Sequence, residues 1–210
     1  MKQSIYFLLI LTLLSSCASV QNYNAQIESL HTPKELHKDV DIAYRKLKKL
    51  HPRLYQYISK EDLDAKFNAL KQSIDMPMNS RAFYEKLAPI IAEVRQGHAG
   101  LFAPTKRFGK KERKEINKKK FEFTSLNFEH LDNSLWIKST LGEDSTIVGS
   151  KVLKIDNEPV EVLLDKYKKY FSSDGYNQTF YNKKAALGFY NFYYADKGLK
   201  DSLLVTLSNE

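Results

Sequence analysis

The sequence predicts an α+β protein: a helical N-terminal bundle followed by a mixed module of strands and helices. Three observations lead there. Apolar residues recur at three- and four-residue steps in three successive stretches between residues 33 and 97. Beyond residue 120 the period drops to two, and a lysine-rich run separates the two regimes. With 210 residues, 42% hydrophobic, 12% aromatic and 28% charged, the chain has the composition of a globular protein of one or two domains. A single cysteine, Cys17, excludes an intramolecular disulfide and any cysteine-rich zinc site.

The first sixteen residues read as an address. Lys2 supplies a positive start, and Ile5 to Leu14 is an apolar run interrupted by Thr12. A membrane-spanning helix needs about 20 apolar residues, so this run has the length of a signal-peptide core. Leu14-Ser15-Ser16-Cys17 looks like a bacterial lipobox, in which the cysteine is lipidated and becomes the new N-terminus. The expectation is therefore a signal peptide at residues 1–16, a lipid on Cys17, and a polar tether over residues 17–31. An ordinary secretory signal with an incidental cysteine is the other reading.

Residues 32–104 are expected to form the helical subdomain. Thr32-Pro33-Lys34-Glu35 is a helix start, with Thr32 as cap, proline at the first helical position and Glu35 three residues after the cap. Leu36, Val40, Ala43, Leu47 and Leu50 then form one stripe, and His51-Pro52 ends the helix because the residue before proline is driven out of helical geometry. Ser59 caps a second helix carrying Leu63, Phe67, Leu70 and Ile74. Asn79 or Ser80 caps a third carrying Phe83, Leu87, Ile90, Ile91 and Val94, which Gly97 would close in a left-handed conformation.

The net charge of +8 suggests a nucleic-acid or membrane partner until it is located. Nine basic and two acidic residues between Lys106 and Lys120 give +7, leaving +1 for the rest of the chain. With Phe108 as its one aromatic, residues 105–120 lack the stacking ladder of single-strand binders. They read as a solvated connector, in part helical, with no nucleic-acid partner.

In residues 121–210, Phe121, Phe123 and Ser125 alternate with Glu122 and Thr124, and Leu135 and Ile137 with Trp136 and Lys138, as in strands. Asp132-Asn133-Ser134 and Asp156-Asn157-Glu158-Pro159 read as turns around a strand at Lys151–Ile155. Val160, Leu163, Leu164, Tyr167 and Phe171 keep helical spacing, and Leu203 to Leu207 reads as a last strand. Eight aromatics lie between Tyr176 and Tyr194, an irregular cluster expected in the core or an interface.

Certain landmarks then stand in a recognisable order. His51-Pro52-Arg53-Leu54-Tyr55 follows the first helix, and Gly97-His98-Ala99 the third. Gly149-Ser150-Lys151-Val152-Leu153-Lys154-Ile155-Asp156-Asn157 comes next, and then Ser173-Asp174-Gly175-Tyr176-Asn177 and Phe189 to Tyr194. In order and spacing these resemble the N-terminal half of the C-terminal-processing, or tail-specific, serine peptidases of the tricorn superfamily, most of all their lipoprotein branch. The resemblance covers nearly all of the chain after residue 34. Ala99 stands where threonine is usual, and Asn157-Glu158 where Asn-Gly is usual.

The resemblance implies a PDZ-like module over residues 121–210, with the protease core absent. Enzymes of that family attack a peptide carbonyl with a serine activated by lysine, or by histidine in the tricorn-like branch. No Gly-x-Ser-x-Gly, Ser-x-x-Lys or His-Glu-x-x-His is present, and the five histidines show no metal-ligand spacing, so neither a metal nor another cofactor is expected. By resemblance His98 occupies the position of the base in tricorn-like members; its alternative is a residue packed at a helix end. The PDZ-like module implies capture of peptide or unfolded-protein C-termini by strand addition, with Gly149 and Val152 at the groove and the helix from Val160 as its other wall. Two functions stay open. One is the N-terminal portion of a serine-type peptidase acting on envelope proteins or peptides, inactive by itself. The other is a non-catalytic, peptide-binding lipoprotein of the bacterial envelope, facing the periplasm or the outer surface.

Overall fold

The computed structural model describes residues 19–119 and 121–208; Cys17 and the lipobox lie outside them. The first element is helical where a polar tether was expected. Helix α1, Val20–Glu28, is capped by Ser19, whose hydroxyl accepts the Asn22 N–H at 3.1 Å. None of its residues is buried, so the cap and its packing against the later helix α4 hold it in place of a core.

Helix α2, Pro33–Leu50, begins on the expected capping box: the Thr32 hydroxyl accepts the Glu35 N–H and the Glu35 carboxylate accepts the Thr32 N–H at 2.8 Å. These bonds to Thr32 hold the Glu35 carboxyl below the usual carboxylate range. Helix α3, Lys60–Gln72, starts at Ser59, and α4, Ser80–Ala92, at Asn79. Their apolar stripes meet in one cluster that includes Leu36, Val40, Leu63, Phe67, Ile74 and Val94. Helix α4 ends at Ala92, and the left-handed residue after it is Arg95 (φ 53°), not Gly97. The chain turns two residues early because the Val94 and Arg95 N–H groups fold back onto the Ile91 and Ala92 carbonyls.

Helix α5, Lys110–Lys118, forms within the basic segment and buries nothing. Phe121 to Ser125 are not a strand. Glu122–Ser125 is a single 3₁₀ turn in which the Thr124 and Ser125 hydroxyls donate to the Phe121 and Glu122 carbonyls at 2.7 and 2.6 Å. Short hydroxyl side chains compete for backbone partners in this way, and here they override the alternation. Phe123 is buried by the turn against Phe128 and Tyr193.

The sheet is antiparallel. Strand β1, Leu126–Leu131, pairs with β2, Ser134–Thr140, through a turn at Asp132 and Asn133 (φ 46° and 60°). Two successive left-handed residues give the turn whose twist suits a hairpin, and Asp and Asn tolerate it best after glycine. Strand β3, Lys151–Ile155, turns the same way at Asp156 and Asn157 (φ 47° and 69°) into the short β4, Glu158–Pro159. The turn thus uses Asp156-Asn157, one residue earlier than the Asn157-Glu158 pair singled out in the sequence. Strand β5, Val205–Ser208, takes the other edge of β3, which is therefore central.

Helix α6, Val160–Lys168, is shorter than expected, with Tyr170 and Phe171 buried just beyond its end. Helices α7, Gln178–Leu187, and α8, Phe189–Lys197, meet at Gly188, where a Cβ would lie 2.8 Å from the Phe192 ring. The aromatic-rich tail is thus a helix pair. Helix α6 packs on β2 and β3 and α7 along β1, enclosing a second cluster around Leu135, Ile137, Ile155, Tyr167 and Phe189. Helix α4 serves both clusters: Leu87 and Ile91 face the first, Tyr84 and Ala88 the second.

A candidate polypeptide-binding groove

The landmarks that lie far apart in the sequence meet where the two halves join. Arg95, in its left-handed conformation, offers its carbonyl to the Gly175 N–H at 2.9 Å and lays its guanidinium over the Tyr176 ring at 4.5 Å. Gln96 bridges the end of α2: its amide nitrogen donates to the Arg53 carbonyl at 2.6 Å, which leaves its oxygen to accept the His51 Nδ1–H at 3.1 Å. The Gly97 N–H donates to Asp174 Oδ1 at 2.7 Å. A Cβ on Gly97 would lie 3.1 Å from that oxygen, so glycine permits the close approach. The Ser172 hydroxyl donates to the Ala92 carbonyl, and that of Ser173 to the Asn177 carbonyl. Charge-assisted bonds such as the one to Asp174 are the stronger kind, and these contacts fix the loop between α4 and α5 on the segment between α6 and α7.

Beside this junction is a groove of about 620 Å³, within the usual range for ligand sites. Gly97 to Ala103 form one wall, and Tyr170, Phe171 and Phe192 the other. Phe171 stacks on Phe192 and on Tyr181 with ring centroids 5.4 and 5.5 Å apart. Lys184 also lines the groove, with Nζ 4.7 Å from the Phe171 ring centroid and 5.3 Å from that of Phe180. It has no carboxylate partner among the described residues, and burial pushes its ammonium pKa down. Phe102 stands on the rim, 100% exposed. An apolar trough with one unpaired cation at its side attracts an apolar chain that ends in, or carries, a carboxylate.

His98 lines the same groove and is exposed; among the described residues no hydrogen bond or ion pair engages its ring. It therefore has no hydroxyl to activate and no carboxylate to orient it here, and the arrangement holds no nucleophile–base pair. His51 is a positioning residue at the end of α2, bonded to Gln96.

Gly149 and Val152, expected at the edge of a peptide groove, lie elsewhere. Gly149 has φ 86°, and a Cβ there would meet nothing within 4 Å, so the glycine serves the backbone turn and not a close approach. Its N–H is already bonded to the Ile137 carbonyl at 2.8 Å. Val152 is 0% exposed and paired with Leu135 on one side and Leu207 on the other, so β3 offers no free edge at that point. Lys184 was not singled out in the sequence, and Phe171 and Phe192 were read there as part of a helical stripe and of the Phe189 to Tyr194 landmark, not as a groove wall. They come from one helix end and two different helices, and no spacing links them. No protein-family model matches the chain, and no curated protein matches it.

Proposed function

We propose that the protein holds an extended, apolar polypeptide C-terminus in the groove between the Gly97–Ala103 loop and helices α7 and α8, as the recognition half of a serine-type peptidase of the tail-specific kind. The observation that carries this reading is the convergence of His51, Gly97-His98 and Asp174-Gly175, three of the family-like landmarks, on one hydrogen-bonded junction at the groove. Lys184 supplies the attraction for the terminal carboxylate, and the aromatic wall supplies apolar area. The hairpin of β3 and β4 followed by α6 corresponds to the strand–turn–strand–helix order that resembles a PDZ-like module. The peptide site is nevertheless assigned to the groove, because β3 is paired on both edges. A lipid on Cys17 would hold the protein at the envelope membrane.

The lack of a hydroxyl partner for His98 in the groove, among the described residues, favours a second reading, a peptide-binding lipoprotein without catalysis. The two differ in whether the same reading frame carries a serine- and lysine-bearing core. Both are tested by titrating a fluorescent peptide with an apolar, free C-terminus against its amidated twin. The free acid is expected to bind more tightly, and Lys184→Met to abolish the difference while leaving residual binding of both. Equal or absent binding of the twins to the wild-type protein would remove the groove from this role.

A further inference from the structure

We propose that the exposed face of α5 docks on anionic phospholipid headgroups and that α1 places it there. Lys110, Arg113, Lys114 and Lys118 follow the i, i+3, i+4, i+8 spacing of one helix face and, with Asn117, border a shallow surface depression. Lys110, Arg113 and Lys114 have no ion pair among the described residues. The two acids of the helix are engaged: Glu112 accepts the Gly109 N–H at 2.8 Å, and Glu115 pairs with Lys118 at 3.0 Å. Three of the four cations of this face are thus unpaired among the described residues, on a helix that contributes nothing to either core.

Its placement points to the occupant. The Asn24 side chain of α1 clamps the backbone of Arg107, donating to its carbonyl and accepting its N–H, each at 2.8 Å. The Arg107 guanidinium lies 3.8 Å from the centroid of the Tyr23 ring. Tyr194 of α8 donates to the Lys106 carbonyl at 3.0 Å, and Lys119 pairs with Asp201 at 2.8 Å, so the segment is held at both ends. Because α1 is a helix and not a loose tether, the chain from Cys17 to Asn24 spans at most roughly 17 Å. A lipid on Cys17 would therefore bring the basic stripe close to the membrane surface, where each lysine or arginine adds to the attraction for anionic headgroups. The single aromatic of the segment, Phe108, supplies no base-stacking platform, which favours headgroups over nucleic acid.

The test uses the full chain carrying Cys17→Ser, so that the stripe acts without a lipid, and compares sedimentation with phosphatidylglycerol-containing and pure phosphatidylcholine vesicles. Any insertion of the N-terminal apolar run contributes to both vesicle types, and the readout is their ratio. Each neutralised charge near a surface is worth about fivefold in binding, so Lys110→Gln, Arg113→Gln, Lys114→Gln and Lys118→Gln together are expected to lower the ratio about 600-fold. Raising the salt from about 0.05 M to about 0.5 M should remove it as well. Circular dichroism and the free-acid peptide titration on the same variant should be unchanged, which separates this proposal from the groove. A wild-type ratio near one, a ratio the four substitutions leave intact, or tighter binding to duplex or single-stranded nucleic acid than to the anionic vesicles at equal salt would each overturn it.

Discussion

Asp196 is the residue whose loss should cost the join between the two cores most, and the structure lets the cost be worked out. Its side chain is 7% exposed and pairs with Lys166 at 2.7 Å; Lys166, 34% exposed, also reaches Glu85 of α4 at 3.1 Å. Burial pulls the Lys166 ammonium down, but the bonds to Asp196 and Glu85 outweigh it and hold the group above its ordinary value. The buried Tyr167 hydroxyl donates to the other carboxylate oxygen at 3.1 Å. Asp196→Ala leaves that hydroxyl without an acceptor, which costs about 1–3 kcal/mol. Lys166 keeps Glu85 and partial solvation, so its share is at most about 1 kcal/mol. The total is about 1–4 kcal/mol, read from urea unfolding followed by both fluorescence and circular dichroism at constant slope. Asp196→Asn, which retains an acceptor, should cost about 1 kcal/mol. In a Tyr167→Phe background Asp196→Ala should cost about 1–2 kcal/mol less than in the wild type, because no orphan hydroxyl remains. An identical cost in both backgrounds would refute the reasoning.

Further consequences are equally concrete. Lys168 Nζ lies 3.1 Å from His130 Nε2, and an ammonium only donates, so the ring must be neutral and carry its proton on Nδ1. Burial, with the Lys168 charge second, depresses the His130 pKa below its ordinary 6.5. The unfolded chain then binds more protons between the depressed value and 6.5, so this contribution to stability is whole above pH 6.5 and is lost as the pH falls through the folded value. Denaturation midpoints should drop on acidification through that window, and His130→Gln should flatten the drop; parallel profiles would exclude the linkage. Thr32→Ala removes the cap of α2 and should cost about 1 kcal/mol with no change in peptide binding, read by the same urea titrations. Labelled palmitate should be incorporated by the expressed protein and not by Cys17→Ala; an unlabelled, soluble wild type would count against the lipid anchor.

The helical half was legible because its signals are local. Thr32 with Glu35, Ser59, Asn79 and the proline after His51 each act within one turn of the chain, and the stripes from Leu36 and Leu63 need only a partner of the same kind. The hairpin turns were legible for the same reason, since Asp-Asn pairs tolerate the left-handed backbone. Where a local signal was outbid, the reading failed. Phe121 to Ser125 alternates like a strand, but the Thr124 and Ser125 hydroxyls capture backbone carbonyls and turn it. The tail from Tyr176 to Tyr194 shows too little amphipathic contrast to announce two helices, because Phe189 and Tyr193 enter the core while Tyr190 and Tyr194 flank it.

By itself, then, the chain's order of residues determined the caps, the turns, the class of fold and the concentration of charge in one segment, all of them properties of neighbours along the backbone. Only the tertiary structure decided that Asp174 would meet the Gly97 amide, that Lys184 would stand unpaired over Phe171, that Val152 would be enclosed on both sides, and that the basic helix would be clasped by α1. Each of these joins groups on different elements, the farthest of them 83 positions apart. Long-range contacts of that kind arise when two cores share one helix and bury their apolar faces together, and no spacing along the chain encodes them.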